Sequence, residues 1–293
     1  METFLHDMSW VLPLRSEALT FIFMGFTWLG YSLFFLIALP IGYWAWDKNK
    51  FTQLALLVFV SALLNAYLKD FWQNPRPDMS LWLEHEAEGS FGMPSGHTQV
   101  GIVMWFWLAY EIRRTWAYVV AALVAAGIAF SRLYLGVHDV EDILVGAVLG
   151  FASLGIFWWF FTDTFKRWHE LSIFIKLGIT ALLLAATFTL WPDGVGSEAS
   201  IGGFIIAWMA GAAFDKTYTR FEAPTEWWRL IVISVVGTLG MIFLFEKLIE
   251  FQTATAPDSI ALVIANGVIL GFYVTVIAPR AFQMLRLAQR REN

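Results

Sequence analysis

Residues 131–142 read SRLYLGVHDVED. Before them runs TWAYVVAALVAAGIAF, 115–130, and after them ILVGAVLGFASLGIFWWFF, 143–161. A bilayer crossing needs about 20 mostly apolar residues, so each run with its flank is long enough to span. Between them lie an arginine, a histidine and three carboxylates, in a chain of 293 residues that is 58% hydrophobic and only 15% charged. A soluble domain carries about 25% charged residues, so the deficit points to lipid as the solvent. The 16 Trp and 27 Phe agree, because indole rings favour the headgroup level. The absence of cysteine excludes disulfides, thiolate catalysis and Cys-ligated metal. A net charge of −5 offers no basic surface to nucleic acid.

Working outward, nine apolar runs have the length or composition of membrane spans: 18–46, 52–69, 97–112, 115–135, 141–162, 172–191, 201–214, 229–250 and 259–279. The seventh, IGGFIIAWMAGAAF, is short and rich in glycine. Helices or closed barrels alone satisfy the backbone in hydrocarbon, and these runs lack the alternation of barrel strands. The expected fold is therefore an all-α polytopic membrane bundle of about nine transmembrane helices. With alternating spans, one side gathers Lys48, Lys50, Arg113, Arg114, Lys166, Arg167, Lys216, Arg220, Arg229, Arg280, Arg286, Arg290 and Arg291. The other holds only Arg15, Lys69, Arg76, Arg132 and Lys247. The basic side is cytoplasmic by the positive-inside bias, which puts the N-terminus outside and the C-terminus in the cytoplasm. Residues 1–17 lack the basic n-region of a signal peptide. Phe4, Leu5, Met8 and Trp10 ahead of Pro13 suit either a short interfacial helix or a disordered tail.

Lys69, Arg76 and Arg132 run against the charge bias, each near a membrane boundary, where an ionisable group is either functional or snorkelling. They belong to three blocks. KDFWQNPRP, 69–77, holds Arg76 between two prolines in an extended turn. FGMPSGHTQ, 91–99, opens the third span, so Ser95 and Gly96 sit at a helix N-terminus; that is an anion site, or simply a helix cap. In the opening stretch His138 and Asp142 are four apart, one helical face, where a carboxylate can hold the imidazole in one tautomer. Asp139 and Glu141 suit a helix start. Together the blocks supply three cations, a hydroxyl, a glycine N–H site, two imidazoles and a carboxylate. The inventory fits a phosphoryl group attacked by His138 while His97 protonates the departing oxygen. All three blocks fall on one side of the membrane.

The pattern Lys-x6-Arg-Pro, Pro-Ser-Gly-His and Ser-Arg-x5-His-x3-Asp resembles the type 2 phosphatidic acid phosphatase superfamily. It is carried by Lys69, Arg76, Pro77, Pro94, Ser95, Gly96, His97, Ser131, Arg132, His138 and Asp142. The resemblance implies a phosphatase with no metal and no cofactor. It implies a phosphohistidine at His138, His97 as general acid, Asp142 orienting the nucleophile, and Lys69, Arg76, Ser95, Gly96 and Arg132 binding phosphate. It covers about residues 18–165 as a phosphatase core and leaves 166–293 as additional transmembrane helices of unread role. The acidic stretch EHEAEG, 84–89, lacks zinc-site spacing and reads as a solvated lid.

The expected function is hydrolysis of a lipid phosphate or diphosphate, of the undecaprenyl diphosphate or phosphatidic acid type, at the outer face of a bacterial inner membrane. Its partners would be that substrate and membrane lipids. Two alternatives stay open: a small soluble phosphate ester as substrate, as in glucose-6-phosphatase, and a transporter or flippase that binds a phosphate headgroup without hydrolysis. Haloperoxidase chemistry, found in soluble relatives, fits this chain poorly.

Overall fold

The computed structural model describes residues 5–85, 89–161, 168, 170–192 and 194–290. It is mostly helical. The helices are α1 (Glu17–Trp28), α2 (Ser32–Ala45), α3 (Lys48–Trp72), α4 (Gly96–Ile112), α5 (Thr115–Tyr134), α6 (Val140–Phe161), α7 (Ile173–Thr189), α8 (Ala199–Phe214), α9 (Trp227–Thr255), α10 (Ile260–Phe272) and α11 (Ala278–Met284). The chain divides into two compact units, residues 1–35 with 60–165 and residues 36–59 with 166–293.

Among the described residues, α3, α5, α6, α9 and the continuous stretch Ile260–Met284 are long and apolar enough to cross a membrane. A sixth crossing results if the pair α1 and α2, bent by 53°, counts as one. The run 18–46 is thus two helices rather than one. The break has a local cause: Leu29, Gly30 and Tyr31 donate to carbonyls three residues back, which closes α1 at Gly30. A side chain at Gly30 would come within 2.6 Å of the His97 ring. The runs 97–112, 172–191 and 201–214 form the shorter helices α4, α7 and α8, of 17, 17 and 16 residues.

In the first unit α4 is the buried helix, packed between α5 and α6. Gly146 and Gly150 of α6 make the close approach: a Cβ at either would meet a carbonyl of Ser95 or Gln99 at 2.7 and 2.8 Å. Leu144 and Val148, turned away from that seam, are exposed apolar side chains, as on a helix facing lipid. The opening segment folds onto this unit. Ser9–Leu14 is a 3-10 helix whose Val11, with Met8, is buried against Leu133, Leu135, Val137 and Ile143. Arg15 then donates to the carbonyls of Leu81 (2.5 Å) and Tyr134 (3.1 Å).

In the second unit the small residues Ala199, Gly203, Ala207 and Gly211 repeat every four positions along α8, opposite Gly267 and Gly271 of α10. In lipid, helix association relies on close backbone approach, which such stripes permit. Trp44 donates to the carbonyl of Val274 at 2.8 Å, and Lys48 pairs with the buried Asp215 at 2.5 Å. Phe221–Glu222 and Gln289–Arg290 form a two-residue antiparallel pair.

A methyl group at Gly203 or Gly267 would fall against the carbonyl of Ile264 or of Ser200. Gly203→Ala and Gly267→Ala should each destabilise the protein by about 1–3 kcal/mol. Gly155→Ala and Gly178→Ala, at helical glycines with open space beside them, should leave stability unchanged or raise it by up to about 1 kcal/mol. Thermal melts in detergent read the difference; equal melts for the four variants would refute the seam.

Candidate active site

The site starts from the turn between α5 and α6. Gly136 has φ +76°, a conformation that glycine adopts without strain, and it turns the chain so that His138 precedes α6. Asp139 caps that helix through Oδ1, which accepts the Asp142 N–H at 2.9 Å. With the helix started, Asp142 lies one turn below His138, and its Oδ2 accepts from Nδ1 at 2.8 Å. A carboxylate only accepts, so Nδ1 carries the proton and the lone pair is on Nε2. Arg76 Nη1 stands 3.1 Å from that Nε2. Burial, and then the Arg76, Lys69 and Arg132 charges, hold the His138 imidazolium well below its ordinary pKa, so the ring is neutral.

The first block is arranged around the same point. Lys69, near the end of α3, donates to the carbonyls of Phe91 and of Gly92, the latter at 2.9 Å. Arg76 donates to the carbonyls of Ser90 (2.7 Å) and Val137 (2.6 Å) and to the Ser90 hydroxyl (2.8 Å). Burial, and then the Arg132 charge, lower its pKa to about 10, and it stays a cation at neutral pH. Arg132 is 1% exposed and donates to Thr27 Oγ1 and to both oxygens of Glu84, at 2.7 and 3.3 Å.

The second block turns into α4 above this cluster. Gly96 is the first helical residue, so the free N–H groups of the first turn begin here. The His97 ring lies edge-on to Tyr31, with centroids 5.0 Å apart. Its Nε2 is buried and has no hydrogen-bond partner among the described residues. Ser95 N–H donates to the Asp142 carbonyl at 3.0 Å, which joins the second block to the third.

A cavity of about 440 Å³ opens onto these groups. Lys69, Arg76, Gly96, His97, Arg132 and His138 line it, with Trp28, Tyr31, Ser32, Leu33, Glu84 and Ser90. Asp142 stands behind His138. Ser95 is the departure from expectation: it is fully buried and does not line the cavity, and its hydroxyl accepts from Thr98 at 3.1 Å. The acidic stretch departs too. Residues 86–88 lie outside the described residues, and Glu84, expected in a solvated lid, is 6% exposed and ion-paired in the cavity wall.

Several members of the site escape a reading of motifs alone. Asn65 donates to the carbonyl of Pro94 (3.2 Å) and to Gln99 (2.9 Å), which in turn donates to the Ser61 carbonyl and hydroxyl, both at 3.0 Å. This buried network pins the loop that carries Ser95 and Gly96. Its signal is in the sequence: Ser61, Asn65 and Lys69 recur every four residues in an apolar helix, one polar stripe. Thr27, His6 and Glu84 have no such signal. His6 Nδ1 lies 2.6 Å from Asp139 Oδ2, which ties the opening segment to the start of α6.

Two family models match the chain, the PAP2 superfamily over residues 50–166 and the PAP2 superfamily phosphatase transmembrane extension over residues 199–290. Phosphatidylglycerophosphatase B of Bacillus subtilis is 33% identical over 174 residues, covering 54% of this chain and 82% of that protein. A dihydrosphingosine 1-phosphate phosphatase of Schizosaccharomyces pombe is 28% identical, covering 60% of this chain and 46% of that protein. Sphingosine-1-phosphate phosphatase 1 of Rattus norvegicus is 26% identical, covering 63% and 46%. The chain thus spans about half the length of the last two relatives. Among solved structures, a transmembrane PAP2 type phosphatidylglycerolphosphate phosphatase from Bacillus subtilis is 29% identical, covers 51% of this chain and 81% of that chain, and has a TM-score of 0.41. With a relative one-third identical across most of its length, and the three blocks inside the first matched region, the chain belongs to the PAP2 superfamily.

Proposed function

We propose that this protein is an integral membrane phosphatase that hydrolyses a lipid phosphate through a phosphohistidine at His138. The observation that carries the reading is the His138 imidazole, fixed by Asp142 on Nδ1 and presenting Nε2 to a cavity walled by three cations, a helix N-terminus and His97. In the first step Nε2 attacks phosphorus, and the bond to the lipid oxygen breaks as His97 gives that oxygen a proton. In the second, His97 takes a proton from water, which attacks the phosphohistidine; inorganic phosphate leaves and Nε2 regains its lone pair. Lys69, Arg76, Arg132 and the N–H groups from Gly96 onward stabilise the equatorial oxygens. Those fixed charges do the work often given to a metal ion, which supports a metal-independent reaction.

A lipid is favoured over a soluble ester because the polar cavity meets apolar surface. Trp28 and Leu33, both on its wall, are exposed. The relatives named for phosphatidylglycerophosphate and sphingosine-1-phosphate support the same class. For topology we infer nine membrane-embedded segments, the bent pair counting as one, with the N-terminus outside and the cavity at the outer face of a bacterial inner membrane. The Lys/Arg distribution supports this orientation. The chain has no cysteine, so single introduced thiols test it: Ser80→Cys should react with a membrane-impermeant maleimide in intact cells, and Asn49→Cys only after lysis. The reverse pattern would overturn the orientation.

Purified protein with excess chelator should release phosphate from lipid phosphates at its full rate. His138→Ala should lower turnover by at least about 10⁴-fold and abolish an acid-labile, base-stable phosphoenzyme. Turnover within tenfold of the parent in that variant would refute the nucleophile. Because the neutral ring is the reactive form and its pKa is depressed, activity should persist as pH falls through 6.5 and be lost only below it. An acid limb of kcat/KM centred at or above 6.5 would contradict a nucleophile held neutral by burial and cations.

A further inference from the structure

Glu84 is a carboxylate inside a cavity built for an anion. Its Oε2 and Oε1 lie 2.7 and 3.3 Å from Nη1 and Nη2 of Arg132, and Thr27 takes a second hydrogen bond from Nη1. Arg132 Nε, also buried, has no partner among the described residues. Three of the five guanidinium N–H donors are therefore engaged by the protein, and Nε–H is a donor without a partner among the described residues that an oxyanion can take.

Holding a guanidinium in place does not require a charge. A neutral amide or hydroxyl accepts the same hydrogen bonds, as Thr27 does, without opposing the ligand. Glu84 lines the cavity together with Lys69, Arg76 and His138, so an anion bound there experiences its charge at close range. It offsets one of the three cations. What remains suits the two negative charges of a phosphate monoester, whereas a diphosphate ester brings further negative charge that nothing in the wall balances.

We propose that Glu84 is a specificity-determining residue that makes this cavity accept a monophosphate headgroup and discriminate against a diphosphate. The inference rests on the reading of the cavity as a phosphatase site and narrows it. One unit charge a few ångströms from the extra phosphoryl group, in a partly hydrated pocket, corresponds to a discrimination of at least about tenfold.

The test uses the full-length protein in detergent with a lipid monophosphate and a lipid diphosphate bearing the same tail. Glu84→Gln keeps an acceptor for Arg132 and removes the charge; Thr27→Val removes an acceptor and keeps the charge. In Glu84→Gln the monophosphate-to-diphosphate ratio of kcat/KM should fall at least tenfold, chiefly through a lower KM for the diphosphate, while Thr27→Val should slow both substrates alike. A ratio that stays within twofold of the parent in Glu84→Gln would overturn the proposal and leave Glu84 as a scaffold for Arg132. A second measurement does not depend on turnover: inorganic phosphate should raise the melting temperature of the parent more than pyrophosphate does, and Glu84→Gln should reverse that order. If the parent releases phosphate from neither lipid, the phosphatase reading fails, and the two ions still decide the role of Glu84. If Glu84→Gln does not fold, the parent decides alone: stabilisation by pyrophosphate equal to or greater than that by phosphate overturns the discrimination.

Discussion

The hydrogen bond between His138 and Asp142 sets demands that reach through the first unit. It fixes the tautomer, and so decides which nitrogen faces the cavity. For it to form, α6 must begin within one turn of His138, and for Nε2 to share a cavity with Gly96 and His97 α4 must begin beside α6. The second requirement is met by backbone: Ser95 N–H reaches the Asp142 carbonyl at 3.0 Å, and a Cβ at Gly92 would come within 2.9 Å of the Asp142 carboxylate. Gly146, one turn further along α6, lies against the Ser95 carbonyl. Glycine at 92 and 146 is therefore a condition of this geometry, although neither residue lines the cavity.

The cations pose the opposite problem, since a buried unpaired charge is costly. The protein solves it with dipoles. Lys69 and Arg76 point at the carbonyls of Phe91, Gly92, Ser90 and Val137, which satisfy donors without cancelling charge. Groups held this way are oriented before any anion arrives and need little reorganisation as charge develops. Arg132 is treated differently, with a carboxylate on its fork. Lys69 and Arg76 thus rest on dipoles and Arg132 on a carboxylate, and the difference lies in what accepts their hydrogen bonds.

Much of this was legible from residue order because membrane burial makes polar residues conspicuous. An arginine, a histidine and an aspartate between two apolar runs stand out, and the i, i+4 spacing of His138 and Asp142 translates directly into one helical face. Gly96, His97, Lys69, Arg76 and Arg132 follow by the same contrast. Six of the eight expected site residues line one cavity, with Asp142 directly behind His138. Ser95 lies off the cavity lining for a physical reason: a hydroxyl before a helix suits both an anion site and an interior turn, and the approach of α6 buries it. Hydropathy marks the apolar runs but neither the bend at Gly30 nor the fit there of the His97 ring, 67 positions away, against a residue without a side chain.

Glu84 shows where residue order runs out. In EHEAEG it has acidic neighbours and a glycine nearby, the composition of a solvated loop. Its burial follows from Arg132, 48 positions later, and from Thr27, 57 positions earlier, so no local window contains the reason. The same holds for Asp139. Its spacing to Asp142 announces a helix cap, but the hydrogen bond from His6 to its other oxygen depends on the opening segment docking through Met8 and Val11. Residue order displays local geometry and the sign of a charge. Whether a carboxylate faces water, caps a helix or sits beside a buried arginine is decided by what folds against it.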